Sequence, residues 1–193
     1  MTRLTLGAFP KQDLASQKDL TLLLTSTHGI TQPEHWKNYG RSADFLGDYC
    51  AAFFREQGSR LKIIHPPSTI KAMVSYIANE LIENAAKYSD ESSDMPIAIT
   101  LRLYQHKLIL EIVNYANATV AKKYHEFVQG ILKLKVLDAY TQQLEKIASG
   151  QASGGIGLLT LMNDYNASCG WTFESQSHLP TLWRIEVVTH VVF

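Results

Sequence analysis

The chain has 193 residues, of which 46% are hydrophobic and 19% charged. Those fractions exclude disorder, collagen and coiled coil as descriptions of the whole chain, and the length suits one domain or one domain with an extension. Eighteen basic residues balance eighteen acidic ones, which argues against a general polyanion binder, since that needs excess positive charge, but not against a local phosphate site. The two cysteines, Cys50 and Cys169, lie too far apart in sequence for a close metal-ligand spacing and read as free buried thiols. No apolar run approaches the roughly 18 residues of a membrane helix, and the N-terminus lacks a signal-peptide core. The expectation is a cytoplasmic protein with neither membrane nor nucleic acid as partner.

In chain order, Leu4–Leu6 and Leu20–Thr25 are short strand candidates. From Ser42 to Glu56 a helical stripe of Phe45, Leu46, Tyr49, Cys50 and Phe53 is expected, ended by Gly58. Residues 1–60 are read as an N-terminal extension carrying this helix, a possible dimer or partner interface, and residues 61–193 as the main domain. Leu61–Ile64 is another strand candidate. Pro66-Pro67-Ser68 marks a helix entry with Ser68 as N-cap. The following segment has the strongest helical pattern in the chain: Ile70, Met73, Val74, Ile77, Leu81, Ile82 and Ala85 share one face. Alternation over Pro96–Tyr104 and Lys107–Asn114 predicts an antiparallel hairpin. Ala118 to Ala148 reads as helical with a break near Gly130. A Gly/Ser-rich loop, a helix from Gly157 to about Ser168, and strands Trp171–Ser175 and Leu182–Val192 follow. Trp171 and Trp183 are expected to face the core or a partner. The fold class is α+β: a two-layer α/β sandwich with a mixed, mostly antiparallel sheet and helices on one face.

Three segments carry candidate chemistry. In Glu80-Leu81-Ile82-Glu83-Asn84-Ala85-Ala86-Lys87, Glu80 and Asn84 lie one turn apart, and Lys87 can join their face. A carboxylate, an amide and an amine bordering an apolar strip suit a base, a magnesium ligand and a phosphate contact, and equally an ordinary amphipathic helix. Magnesium prefers hard oxygen ligands and keeps several waters, so one amide oxygen plus phosphates is chemically reasonable. The second segment, Ser153-Gly154-Gly155-Ile156-Gly157-Leu158, precedes an apolar helical pattern. Glycines permit close approach to a phosphate and the helix N-terminus supplies free N–H donors; a flexible hinge would look the same. The third, Val113-Asn114-Tyr115-Ala116-Asn117, ends a strand, where a polar side chain can address a base edge. Tyr88 can stack near such a base or pack the helix against the sheet.

In this order the three segments resemble the ATP-binding superfamily shared by gyrase, Hsp90, histidine kinases and MutL (GHKL). Glu80–Tyr88 looks like its N-box and Gly155–Leu158 like its second glycine box. The resemblance covers roughly Leu61 to Phe193. It implies a Bergerat-type histidine-kinase-like ATPase fold and two cofactors, ATP and Mg2+. It further implies Asn84 as the metal ligand, Lys87 as a phosphate contact and Glu80 as the catalytic base. Asn114, Ala116, Gly155, Gly157 and Leu158 would complete the nucleotide site, and the 118–150 insert would take the place of the ATP lid. Three positions depart from the pattern. Asn114 stands where the family has the aspartate that receives the adenine amino group, Ala116 replaces a glycine, and Ser153 stands for the first glycine of the second box.

Neither a transducer domain nor a phosphoacceptor-histidine helix is recognisable; His65, beside prolines, reads as structural. This leaves the compact members, the anti-sigma-factor serine kinases and the SiaB-like kinases. The stretch from Trp36 to Tyr49 resembles a cyanobacterial branch near the latter. The resemblance implies a stand-alone signalling regulator that phosphorylates Ser or Thr on a small anti-sigma-antagonist-like protein in a partner-switching pathway, and homodimers are common among such proteins. The alternatives are a non-catalytic nucleotide-binding module that controls partner binding, and a ligand-free interaction surface.

Overall fold

The computed structural model describes residues 2–10, 18–25, 32–57, 66–90, 92–152, 154–177 and 179–192. Its strands are β1 (Arg3–Gly7), β2 (Lys18–Leu24), β3 (Ile97–Leu103), β4 (Lys107–Asn117), β5 (Ser168–Gln176) and β6 (Leu179–Val192). Its helices are α1 (Gln32–Gln57), α2 (Pro67–Tyr88), α3 (Ala118–Ile131), α4 (Val136–Ala148) and α5 (Ile156–Asp164). The strand expected at Leu61–Ile64, the helix-ending Gly58, and the residues His65 and Ser153 lie outside the described residues.

The strands form one sheet in the order β1-β5-β6-β4-β3-β2. Every described pairing is antiparallel. Period-two alternation puts Ile97, Ile99, Leu101 and Leu103 of β3 on the buried face. Leu108, Leu110 and Ile112 of β4, Trp171 and Phe173 of β5, and Ile185 of β6 join them in one core with inward residues of α1, α2, α3 and α5. The other face carries paired charges, with Arg102 donating to Glu111 and Arg184 to Glu186, each at 2.8 Å. The two-layer α+β architecture is the one the alternation and helical patterns predict.

Residues 1–60, read from sequence as an extension, supply both edge strands of this sheet and the helix that packs along α2. Within α1 the inward residues are Ala43, Leu46, Cys50, Phe53 and Phe54, whereas Phe45 is 49% exposed. Helix α2 is capped by Pro66 with no side-chain cap, so Ser68 is not its N-cap. Proline's fixed φ suits the first helical position, and the chain enters the helix one residue earlier than the serine. Helix α5 stops at Asp164, short of Ser168, because Asn166 takes φ 50° and Ser168 already pairs with His190 of β6. The expected break near Gly130 falls between Ile131 and Val136. Trp171 is fully buried. Among the described residues no helix is long and apolar enough to cross a membrane.

Candidate functional site

Helix α2 buries Ile70, Val74, Ile77, Leu81, Ile82 and Ala85 in the core. The same turns carry Glu80 and Asn84 at the border of that strip, half-buried, and Lys87 exposed in the last turn. This border faces the loop that enters α5. Gly155 caps α5 with φ 88°, the left-handed conformation that disfavours any side chain, and no side chain caps the first N–H groups of the helix.

The glycines of this loop lie against specific side chains. A Cβ on Gly157 would overlap the Glu80 carboxylate. On Gly154 it would lie 3.3 Å from the Lys87 ammonium, and on Gly155 it would lie 2.7 Å from the Phe127 ring. Gln143 of α4, buried, donates its side-chain N–H to the Gly154 carbonyl. Glu80, Lys87 and the loop therefore meet, and α3 and α4 hold the loop from its other side. Burial raises the Glu80 carboxyl above its ordinary value, and the neighbouring Glu83 raises it further. Asn79 donates to Glu83 at 2.8 Å, fixing that second carboxylate beside the first.

Asn84 opens onto a separate small cavity between α2, α3 and the sheet. Leu81, Asn84, Ala85, Tyr88, Ile112, Asn114, Tyr124 and Val187 line it, and it measures about 10 Å³. That is about the room of one water. Asn114 is 3% exposed and its Nδ2 has no hydrogen-bond partner. Tyr88, which the sequence left between stacking and packing, stacks on Tyr124 with ring centroids 5.2 Å apart.

The structure thus gathers Glu80, Lys87, Gly154 and Gly157 at one locus and Asn84 with Asn114 at an adjoining one. Ala116 and Leu158, expected in the nucleotide site, are buried core residues that do not line the cavity. Tyr124, Phe127 and Gln143 are the residues the sequence reading missed. The inward periodicity of Ala121, Tyr124 and Val128 signals a buried face of α3 but not what that face meets.

Among the described residues no three His, Cys, Asp or Glu side chains group as a metal site. A divalent cation here would lean on the Asn84 amide oxygen, water and ligand oxygens, a donor set that suits magnesium. For a nucleotide the polar groups fit: an orphaned amide at Asn114, an ammonium at Lys87 and an uncapped helix start. The space does not, since ligand pockets run to about 300 Å³ or more.

No protein-family model and no curated protein matches the chain. Among solved structures, a chain of the SiaB–SiaC complex from Pseudomonas aeruginosa is similar with a TM-score of 0.55 at 13% identity. The match covers 90% of this chain and 89% of that one. Likeness at this identity establishes a shared fold.

Proposed function

We propose that this chain is an ATP-binding regulator of a partner-switching pathway that phosphorylates a Ser or Thr on a small, anti-sigma-antagonist-like protein. The observation that carries the reading is the meeting of Glu80 and Lys87 of α2 with the glycine loop at the start of α5, with Asn84 of the same helix on the adjoining cavity. The shared fold with a chain from a two-protein SiaB–SiaC complex supports the partner.

Phosphoryl transfer asks a protein mainly for positioning and charge neutralisation. Lys87 brings its ammonium to the loop, and the first N–H groups of α5, which no side chain caps, are donors at the end of that loop. Asn84 would offer its amide oxygen to Mg2+, which when bound would neutralise phosphate charge. Glu80, held partly desolvated, accepts the proton of the attacking hydroxyl as the γ-phosphoryl passes to its oxygen and ADP leaves. A raised carboxyl is a better base near neutrality than an ordinary one.

A second reading, a nucleotide-controlled binding module without turnover, is favoured by two observations. The amide at 114 is uncharged, and the cavity beside it has room for only about 10 Å³. Incubation with γ-labelled ATP, Mg2+ and small acceptor domains separates the readings. The kinase reading expects labelled partner, reduced about 100-fold or more in Glu80→Ala, with nucleotide binding retained. A nucleotide-dependent complex without label supports the module. Labelling unchanged by Glu80→Ala refutes the assigned base.

A further inference from the structure

The cavity shared by Asn84 and Asn114 is lined on its α3 side by Tyr124. The ring of Tyr124 lies nearly parallel to Tyr88, with an interplanar angle of 20°. Its hydroxyl accepts the Trp171 indole N–H at 3.1 Å, and Phe173 meets the ring edge-on. Tyr124 therefore fills a flat slot, and what remains is about 10 Å³. It leaves the polar wall of that slot unserved, because the buried Asn114 Nδ2 has no partner. A buried amide in that condition carries its full desolvation penalty. The slot is filled in shape and unfilled in hydrogen bonding.

The geometry points to a self-occupied ring site: Tyr124 stands where the flat heteroaromatic ring of a ligand stacks on Tyr88, and the ligand displaces Tyr124 and pairs its edge with Asn114. This rests on the nucleotide reading above and names its base subsite as one guarded from within. An amide presents one donor and one acceptor in a single plane. A ring bearing an acceptor next to a donor matches it, and both adenine and guanine have such an edge. Helix α3 also reaches the phosphate side of the site. The same helix sets Phe127 against Gly155, and α4 holds the Gly154 carbonyl through Gln143. The apparent affinity of the parent chain is lowered by the fraction of molecules in which the slot is open.

The test combines calorimetry with the indole N–H signals of the three tryptophans in the 15N-labelled chain. Tyr124→Phe, which removes only the hydroxyl, identifies the Trp171 signal. Mg·ATP and Mg·GTP are the probes. Tyr124→Ala is expected to bind Mg·ATP about tenfold tighter than the parent or better. Saturating Mg·ATP is expected to shift the Trp171 signal of the parent, as its acceptor leaves. Binding to the parent with the Trp171 signal unmoved and no gain in Tyr124→Ala overturns the self-occupied site and leaves the nucleotide reading standing. No heat and no shift with either nucleotide, in parent and folded variant alike, overturns both. If Tyr124→Ala does not fold, the Trp171 signal of the parent decides alone.

Discussion

Gly157→Ala separates the fold from the chemistry. Position 157 is the second residue of α5 and is buried. No positive φ is required there, so alanine gains up to about 1 kcal/mol of helix propensity over glycine. Its methyl group would overlap the Glu80 carboxylate and lie 2.5 Å from Glu80 Cδ. That obstacle is the far end of a side chain, so Glu80 swings aside at roughly 0.5–1.5 kcal/mol if it leaves its preferred rotamer. The two effects nearly cancel, and stability should change by no more than about 1 kcal/mol, or about 2–4 °C in melting temperature. Transfer, in contrast, loses its positioned base and should fall about 100-fold or more. The assays are urea denaturation and the initial rate of partner labelling by γ-labelled ATP. A loss of stability above about 3 kcal/mol would show that Glu80 is locked in packing rather than poised for chemistry. Unimpaired transfer in a folded variant would show that the carboxylate position does not matter.

Glu80 should also cost stability where it stands. Its carboxyl is raised in the folded chain by burial and by Glu83, so its stabilising contribution is full at low pH and is lost as pH rises through the raised value. Glu80→Gln should therefore be more stable than the parent at pH 7, with the difference vanishing in acid, as read from urea midpoints across pH. The opposite sign holds for His190, which burial and then Lys107 push below the ordinary histidine value. Its contribution is present at neutral pH and lost as pH falls through the ordinary value near 6.5 toward the lowered one, and His190→Gln should flatten that part of the stability profile. In α1, a methyl group on Gly47 would overlap the Ser75 hydroxyl and approach the Lys71 carbonyl to 2.8 Å. Here backbone stands in the way, so Gly47→Ala should destabilise by about 1–3 kcal/mol in thermal melts, with nucleotide binding unchanged at temperatures where it is folded.

The elements most legible in the sequence are those whose burial follows from their own period. Helix α2 buries Ile70, Val74, Ile77, Leu81, Ile82 and Ala85 as its pattern predicts, and the β3–β4 hairpin alternates as written. The first sixty residues were poorly legible because β1 and β2, neighbours in sequence, lie at opposite edges of the sheet. No local pattern encodes a pairing partner more than 70 residues away, such as Trp171 for Leu6 or Thr100 for Thr21. On α1 the stripe drawn through Phe45 is turned from the true one, because contact with α2 selects Ala43, Leu46 and Cys50. In the site, the i, i+4 spacing of Glu80 and Asn84 placed both on one border. That Glu80 meets Gly157 while Asn84 opens onto Asn114 depends on how α5 and the sheet flank α2. Tyr124 was invisible as a site residue for the same reason. Its inward position is local, and its stacking on Tyr88 is tertiary.

The proposed function requires that α2 and the glycine loop bind a nucleotide together with Mg2+. Calorimetric titration of ATP into the parent chain and into Asn84→Ala, each with and without Mg2+, tests it most directly. Saturable binding by the parent that strengthens with Mg2+, and that loses this dependence in Asn84→Ala, is expected. Absence of binding to the folded parent at millimolar nucleotide, or binding indifferent both to Mg2+ and to Asn84, would contradict it.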